Sequence, residues 1–337
     1  MPAPRFLPLL CAILFFSSLP APAQEASSLA AANTSPLGEA LVEEGFHAAE
    51  AQRTPHGNHL LVRVEANGTP FLLLIDTGSP VTLLFRSAAE KAGIGAAPDE
   101  GRLFPPLFSG INGPADTRPE RARITRFRLG GVTLSPPPIY IVSSRGGRVR
   151  AGAGAELIDG ILGLDALRQL RAVFGCRPAF FFFHPEREKA RRLKSLLQGE
   201  GFSLVALAHQ DGNYIVPLRL NGTRARMMLD TGSTFTLVDE ALARRVKIVE
   251  TPDRAYLVGL DGGLMPAKGI SPKSTTLGSL ALPPMTIAEC DLLCLHPPSV
   301  PGRAKLDGLL GFDFIGRFYP VIDAGNDRLY LAAPGVR

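Results

Sequence analysis

Two stretches of the chain repeat one alternation of apolar and polar positions. Leu60-Leu61-Val62-Arg63-Val64-Glu65 reads as a strand, Asn67-Gly68 as a hairpin turn, and Phe71 to Ile75 as a second strand ending on Asp76. Tyr214 to Leu220, then Asn221-Gly222-Thr223, then Met227-Met228-Leu229 repeat the pattern and end on Asp230. The offset, 230 − 76 = 154, carries Asn67-Gly68-Thr69 onto Asn221-Gly222-Thr223 and Thr82-Leu83 onto Thr236-Leu237 without a gap. Further on, Asp159-Gly160-Ile161-Leu162-Gly163-Leu164-Asp165 matches Asp307-Gly308-Leu309-Leu310-Gly311-Phe312-Asp313 at an offset of 311 − 163 = 148. The first copy is therefore six residues longer between the motifs, and the Gly/Arg-rich loop Ser143–Gly154 is a natural place for them. Strand signals with a Leu-Gly turn precede these segments (Phe127–Leu134, Thr275–Leu282), and apolar strands come after them (Phe180–Phe183, Leu329–Leu331). This is an internal duplication. Short strands with frequent turns predict an all-β, barrel-like architecture in both copies.

The remaining segments divide the chain. Residues 1–23 have the form of a secretory signal peptide: Arg5, an apolar stretch from Leu7 to Leu19, and Ala21-Pro22-Ala23 as a cleavage site. That stretch is short of the roughly 20 residues a membrane span needs, so a retained anchor is the weaker reading. The expectation is a soluble, secreted or periplasmic protein. Residues 24–54 read as a tether or pro-like segment with a short helix over Glu39–Ala51. Two lobes come next, 55–183 and 205–337, joined by a charged linker at 184–204 with helical spacing at Glu186, Lys189, Leu193, Leu196 and Leu197.

Composition changes this picture little. Hydrophobic residues at 45% and charged residues at 20% describe a globular chain, and Gly 35 with Pro 30 suits many turns. The formal charge is +5, of which Arg5 supplies one, leaving about +4 after signal removal. The clusters Arg145–Arg150 and Glu186–Lys194 read as solvated segments, and no aromatic–arginine interleaving points to nucleic acid. Cys176, Cys290 and Cys294 remain beyond the signal; Cys290 and Cys294 can close a small loop, or either can meet Cys176. No histidine stands at ligand spacing near them except His296, so neither a metal nor a cofactor is expected. His56 and His59 read as surface residues before the first strand. Nucleophile-elbow, zinc-protease and phosphate-loop motifs are missing.

The chemistry lies where the repeats end, at Asp76-Thr77-Gly78-Ser79 and Asp230-Thr231-Gly232-Ser233. Either copy alone is an ordinary strand-to-turn junction. Two in matched surroundings make Asp76 and Asp230 candidates for a catalytic pair sharing one proton. Gly78 and Gly232 allow a sharp turn that brings an amide to the carboxylate. The Thr77 and Thr231 hydroxyls can bond the opposite loop, and those of Ser79 and Ser233 the outer oxygen of their own aspartate.

These motifs resemble the aspartic proteases of the pepsin and retropepsin clan, over roughly residues 55–183 and 205–335. Each unit looks more like a compact bacterial retropepsin-like domain than a pepsin lobe. The resemblance implies a pepsin-like bilobal pseudo-dimer with an interlobe cleft. It also implies an aspartic endopeptidase, monomeric in its active site, acting on a peptide or protein substrate. Ile161-Leu162-Gly163 and Leu309-Leu310-Gly311 would cross beneath the two loops. Two Gly-rich stretches would be substrate-binding flaps: Gly110, Ile111, Asn112 and Gly113 in the first lobe, and Gly259, Leu260, Asp261, Gly262 and Gly263 in the second. The chain departs from pepsin in lacking the flap tyrosine (Phe104 and Phe108 are the nearest aromatics) and in placing Asp261 in a flap. Pro80 comes after the first loop where Thr234 comes after the second. Two rival readings stay open: a non-catalytic peptide-binding protein on the same scaffold, and lobes that pair between molecules.

Overall fold

In the computed structural model, the described residues are 34–54, 59–98, 109–110, 113–114, 119–143, 157–258, 264–292 and 305–332. The expected signal peptide lies outside them. The strand Leu60–Ala66 turns through Asn67 and Gly68, both at positive φ (50° and 86°), into Thr69–Asp76. Asn221 and Gly222 (48° and 80°) do the same between Asn213–Leu220 and Thr223–Leu229. Left-handed backbone at both central positions is what a tight hairpin requires, and Asn-Gly tolerates it. The asparagine side chains are used as well: Asn67 Oδ1 accepts from the Thr125 N–H (2.9 Å) and Asn221 Oδ1 from the Lys273 N–H (2.7 Å).

Phe71-Leu72-Leu73-Leu74-Ile75 is buried at every position, because packing covers both faces of its strand. That strand is central to a nine-stranded sheet. Its hydrogen-bonded neighbours are Leu60–Ala66, antiparallel, and Gly160–Gly163, parallel, with Gly163 opposite Asp76. Beyond Gly160–Gly163 come Thr82–Phe85 and Ile139–Val142. A ten-stranded sheet repeats this order around Thr223–Leu229, with Gly308–Leu310 parallel to it and Leu237–Asp239 next. Each sheet curls as a half-barrel, and the fold is all-β with two similar lobes. The repeated Asp-Gly pairs acquire a role here. Asp159 Oδ2 accepts the N–H of Leu72 (2.8 Å) and Asp307 Oδ2 that of Arg226 (2.9 Å), pinning both central strands.

A third, six-stranded sheet joins the halves. Its strands run His47–Ala49, Ala179–Phe183, Val173–Cys176, Val321–Asp323, Arg328–Ala332 and Phe202–Ala206, so the two lobes meet at the Val173–Cys176/Val321–Asp323 seam. The amino-terminal segment differs from expectation. The helix covers Pro36–Glu43, capped by the Ser35 hydroxyl on the Gly38 N–H (3.0 Å), and stops well before Ala51. His47–Ala49 and Ala51–Arg53 are strands, the first pairing with Phe181–Phe183 and the second with Leu60–Val62. Burying Phe46, Ala49 and Ala51 outweighs the helical tendency of the alanines. Residues 34–54 are thus a helix followed by two strands, one in the joining sheet and one in the nine-stranded sheet. The linker carries a helix at Leu193–Gly199. Cys176 is a buried thiol, its pKa pushed up by burial; Cys290 is also buried, and Cys294 lies outside the described residues. No helix among the described residues is long and apolar enough to cross a membrane.

The joining sheet should dominate stability. Phe181 is 1% exposed and stacks on Phe174 at 6.0 Å. Phe181→Ala is expected to cost about 3–5 kcal/mol in chemical denaturation, through lost burial and a residual cavity.

Candidate active site

Both Asp-Thr-Gly-Ser loops stand where a central strand ends, and they meet. The Thr77 N–H donates to Thr231 Oγ1 (3.0 Å) and the Thr231 N–H to Thr77 Oγ1 (3.1 Å). Each hydroxyl then donates across to the strand before the opposite aspartate: Thr77 Oγ1 to the Leu229 carbonyl (2.8 Å), Thr231 Oγ1 to that of Ile75 (3.0 Å). Four buried, reciprocal hydrogen bonds thus hold the loops in one relative position.

Inside each loop the carboxylate folds back on the backbone. Asp76 Oδ1 accepts from the N–H groups of Gly78 (2.7 Å) and Ser79 (3.3 Å), and Asp230 Oδ1 from those of Gly232 (3.0 Å) and Ser233 (2.9 Å). The glycines are obligatory through close approach. A Cβ on Gly78 would lie 2.6 Å from Asp230 Oδ1, and one on Gly232 would lie 2.6 Å from Asp76 Oδ2. The serine expectation is corrected. Their N–H groups, not their hydroxyls, reach the aspartates; the hydroxyls donate to the carbonyls of Val81 (2.6 Å) and Phe235 (2.8 Å), tightening the chain after each loop.

Both carboxyls are fully buried, and each lies against the glycine of the opposite loop. Among the described residues neither Oδ2 receives a protein donor. Burial raises Asp76 above the usual carboxylate range, against the pull of the Gly78 N–H. Burial and then the charge of Asp76 raise Asp230 further. The pair therefore keeps one proton well above the pH at which an exposed carboxyl loses it.

Beneath the loops run Gly160–Gly163 and Gly308–Leu310, with Gly311 just beyond the second. The N–H groups of Gly163 and Gly311 donate to Thr82 Oγ1 and Thr236 Oγ1, both at 3.1 Å. Those hydroxyls donate in turn to Asp165 Oδ1 (2.8 Å) and Asp313 Oδ1 (2.7 Å). The repeat contained these four residues, but their polarity alone did not assign them a place. Burial pushes Asp165 and Asp313 up to about 6, with the bonds from Thr82 and Thr236 opposing it.

His59 was also missed. It is buried, not superficial, and its Nε2 lies 3.0 Å from Thr234 Oγ1 beside the second loop. His56 lies outside the described residues. Of the flap residues, Gly110 pairs with Gly113 in a small hairpin, whereas Ile111 and Asn112 lie outside the described residues. Val258 pairs with Leu264 at the end of a long hairpin, and Gly259 to Gly263 between them also lie outside. No cluster of His, Cys, Asp and Glu among the described residues could hold a metal.

Such an arrangement defines a class: duplicated half-barrels meeting at paired Asp-Thr-Gly loops. The family model described as aspartyl protease matches residues 62–166 and again 216–314, and the chain belongs to that family. Among solved structures it is similar to an aspartic proteinase from Irpex lacteus, at 15% identity over 86% of this chain and 98% of that one, TM-score 0.43. It is also similar to a retropepsin-like aspartic protease from Rickettsia conorii, at 21% identity over 39% of this chain and 90% of that one, TM-score 0.27. No curated protein sequence matches it significantly.

Two outcomes are expected. Thr231→Val removes the donor to Ile75 O and the acceptor for the Thr77 N–H. It should cost about 2–4 kcal/mol in chemical denaturation, and Thr231→Ser should recover most of it. The second concerns pH. Asp165 and Asp313 titrate near 3.8 when unfolded and near 6 when folded, so the folded state binds more protons between those values. Their stabilisation is complete below about pH 4 and is lost as pH rises through about 6. The melting temperature should fall across that window, and Asp165→Asn with Asp313→Asn should flatten the slope.

Proposed function

We propose that the protein is an aspartic endopeptidase whose general acid and general base are Asp76 and Asp230. One observation carries the reading: two fully buried carboxyls, locked face to face, each keeping an oxygen without a protein donor among the described residues. A water seated between those oxygens gives a proton to the ionised carboxylate as its oxygen attacks the peptide carbonyl carbon. The protonated carboxyl gives its proton to the carbonyl oxygen, producing a neutral gem-diol. Collapse of the diol breaks the C–N bond. One carboxyl protonates the departing nitrogen and the other recovers a proton from a hydroxyl, so the pair ends with the single proton it began with.

The hairpins at Ser109–Pro114 and Val249–Ser271 are the proposed flaps over an extended peptide substrate. With one aspartate from each half of a single chain, the active unit is a monomer. With the leader at residues 1–23 removed, it works outside the cytoplasm.

Asp76→Asn and Asp230→Asn should each lower kcat on a peptide substrate by at least about 10³-fold while leaving the melting temperature near or above that of the parent. The rate profile of the parent should be bell-shaped in pH, both limbs belonging to the pair. Full activity in either single variant sinks the shared-proton mechanism. A folded parent that cleaves nothing in an unbiased peptide library at acid and neutral pH is instead a peptide-binding protein.

A further inference from the structure

The two loops differ at the residue after the serine. In the first, Pro80 fixes its own φ through its ring, and the turn is stiffened covalently. In the second, Thr234 has no such constraint, and there the imidazole of His59 supplies a hydrogen bond, Nε2 to Thr234 Oγ1 at 3.0 Å. His59 comes from the other half of the molecule. It immediately precedes the strand Leu60–Ala66 of the nine-stranded sheet, and its carbonyl accepts from the Thr54 N–H at 3.0 Å. At the repeat offset of 154 the second copy has Asn213, directly after the tight Asp211-Gly212 turn. The two copies thus differ at two places: Pro80 against Thr234 after the serine, and His59 against Asn213 at the head of the first strand.

We propose that His59 is a positioning residue for the Asp230 loop, replacing by a bond from the opposite lobe the rigidity that Pro80 gives the Asp76 loop. This rests on the endopeptidase reading for its catalytic consequence, though not for its geometry. The imidazole is 3% exposed, and burial lowers its pKa to about 4, so above that pH it is neutral. Its Nδ1 has no partner among the described residues, which leaves the bond to Thr234 as the ring's anchor. From Thr234 the constraint spreads along two short routes, one into the segment after the loop and one to Asp230 itself. The Thr234 carbonyl accepts from the Asp313 N–H (2.9 Å), and the Asp313 carboxylate holds the Thr236 N–H (2.8 Å) and hydroxyl (2.7 Å). On the other side Ser233, next in the chain, donates its N–H to Asp230 Oδ1 (2.9 Å).

The test compares His59→Leu, Thr234→Val and the double variant of the full chain. Each single variant should lower kcat about five- to tenfold, the worth of one net hydrogen bond, with KM within about twofold. The double variant should be no slower than the slower single. Independently of cleavage, the amide resonances of Gly232 and Ser233 should shift in both single variants, while those of Gly78 and Ser79 hold. Unmoved Gly232 and Ser233 resonances in a folded variant, or multiplying effects in the double, overturn the positioning role. If the parent cleaves no peptide, the endopeptidase reading fails and the amide shifts alone decide the role of His59. If His59→Leu does not fold, Thr234→Val, at a partly exposed residue, decides it by the same shifts.

Discussion

The reciprocal bonds between Thr77 and Thr231 are the constraint on which the rest of the structure depends, because they fix the loops that carry two buried carboxyls. A buried carboxylate without compensation is costly, and two adjacent ones are prohibitive. The loops solve this with backbone. Each aspartate keeps one oxygen on two N–H groups of its own turn, and its other oxygen has no protein donor among the described residues, which favours a protonated carboxyl there. That arrangement tolerates no slack. A side chain at Gly78 or Gly232 would occupy the space of the opposite carboxyl, so the turn geometry and the loop contact are a single requirement. The strands Thr69–Asp76 and Thr223–Leu229 carry the loops, and each is clamped by a parallel neighbour and by an aspartate at its side.

Much of this could be read from residue order because the chain states it twice. Asn67-Gly68 and Asn221-Gly222 are short-range signals, in which local backbone preference and hairpin geometry agree. Asp76 and Asp230 stood out because they repeat in matched surroundings, and no long-range knowledge was needed to pair them. Other features depend on contacts that no local pattern encodes. His59 has the sequence context of a surface residue, yet it is buried and its ring bonds Thr234 in the opposite half of the molecule. Residues 47–53 carry alanines and polar side chains that suit a helix in isolation, yet free strand edges at Phe181–Phe183 and Leu60–Val62 recruit them. The serine hydroxyls went to carbonyls of Val81 and Phe235 because the Ser79 and Ser233 amides already occupied the inner oxygens. Donor and acceptor types were legible there, but not which of two donors on one residue would be used.

A duplicated unit that remained on separate chains would hold its two loops together only as strongly as the chains associate. Here the six-stranded sheet makes the association intramolecular, through the seam between Val173–Cys176 and Val321–Asp323. Covalent connection raises the effective concentration of one half about the other, so loop contact no longer depends on protein concentration. It also removes the demand that both halves be identical. In a symmetric dimer a change from Pro to Thr after the serine would strike both loops at once. In a single chain it strikes one, and a partner residue such as His59 can arise in the other half alone. The bond between His59 and Thr234 is therefore the kind of divergence that fusion permits. It also shows where to look for more: at positions where the two copies differ and where a side chain of one half touches the loop of the other.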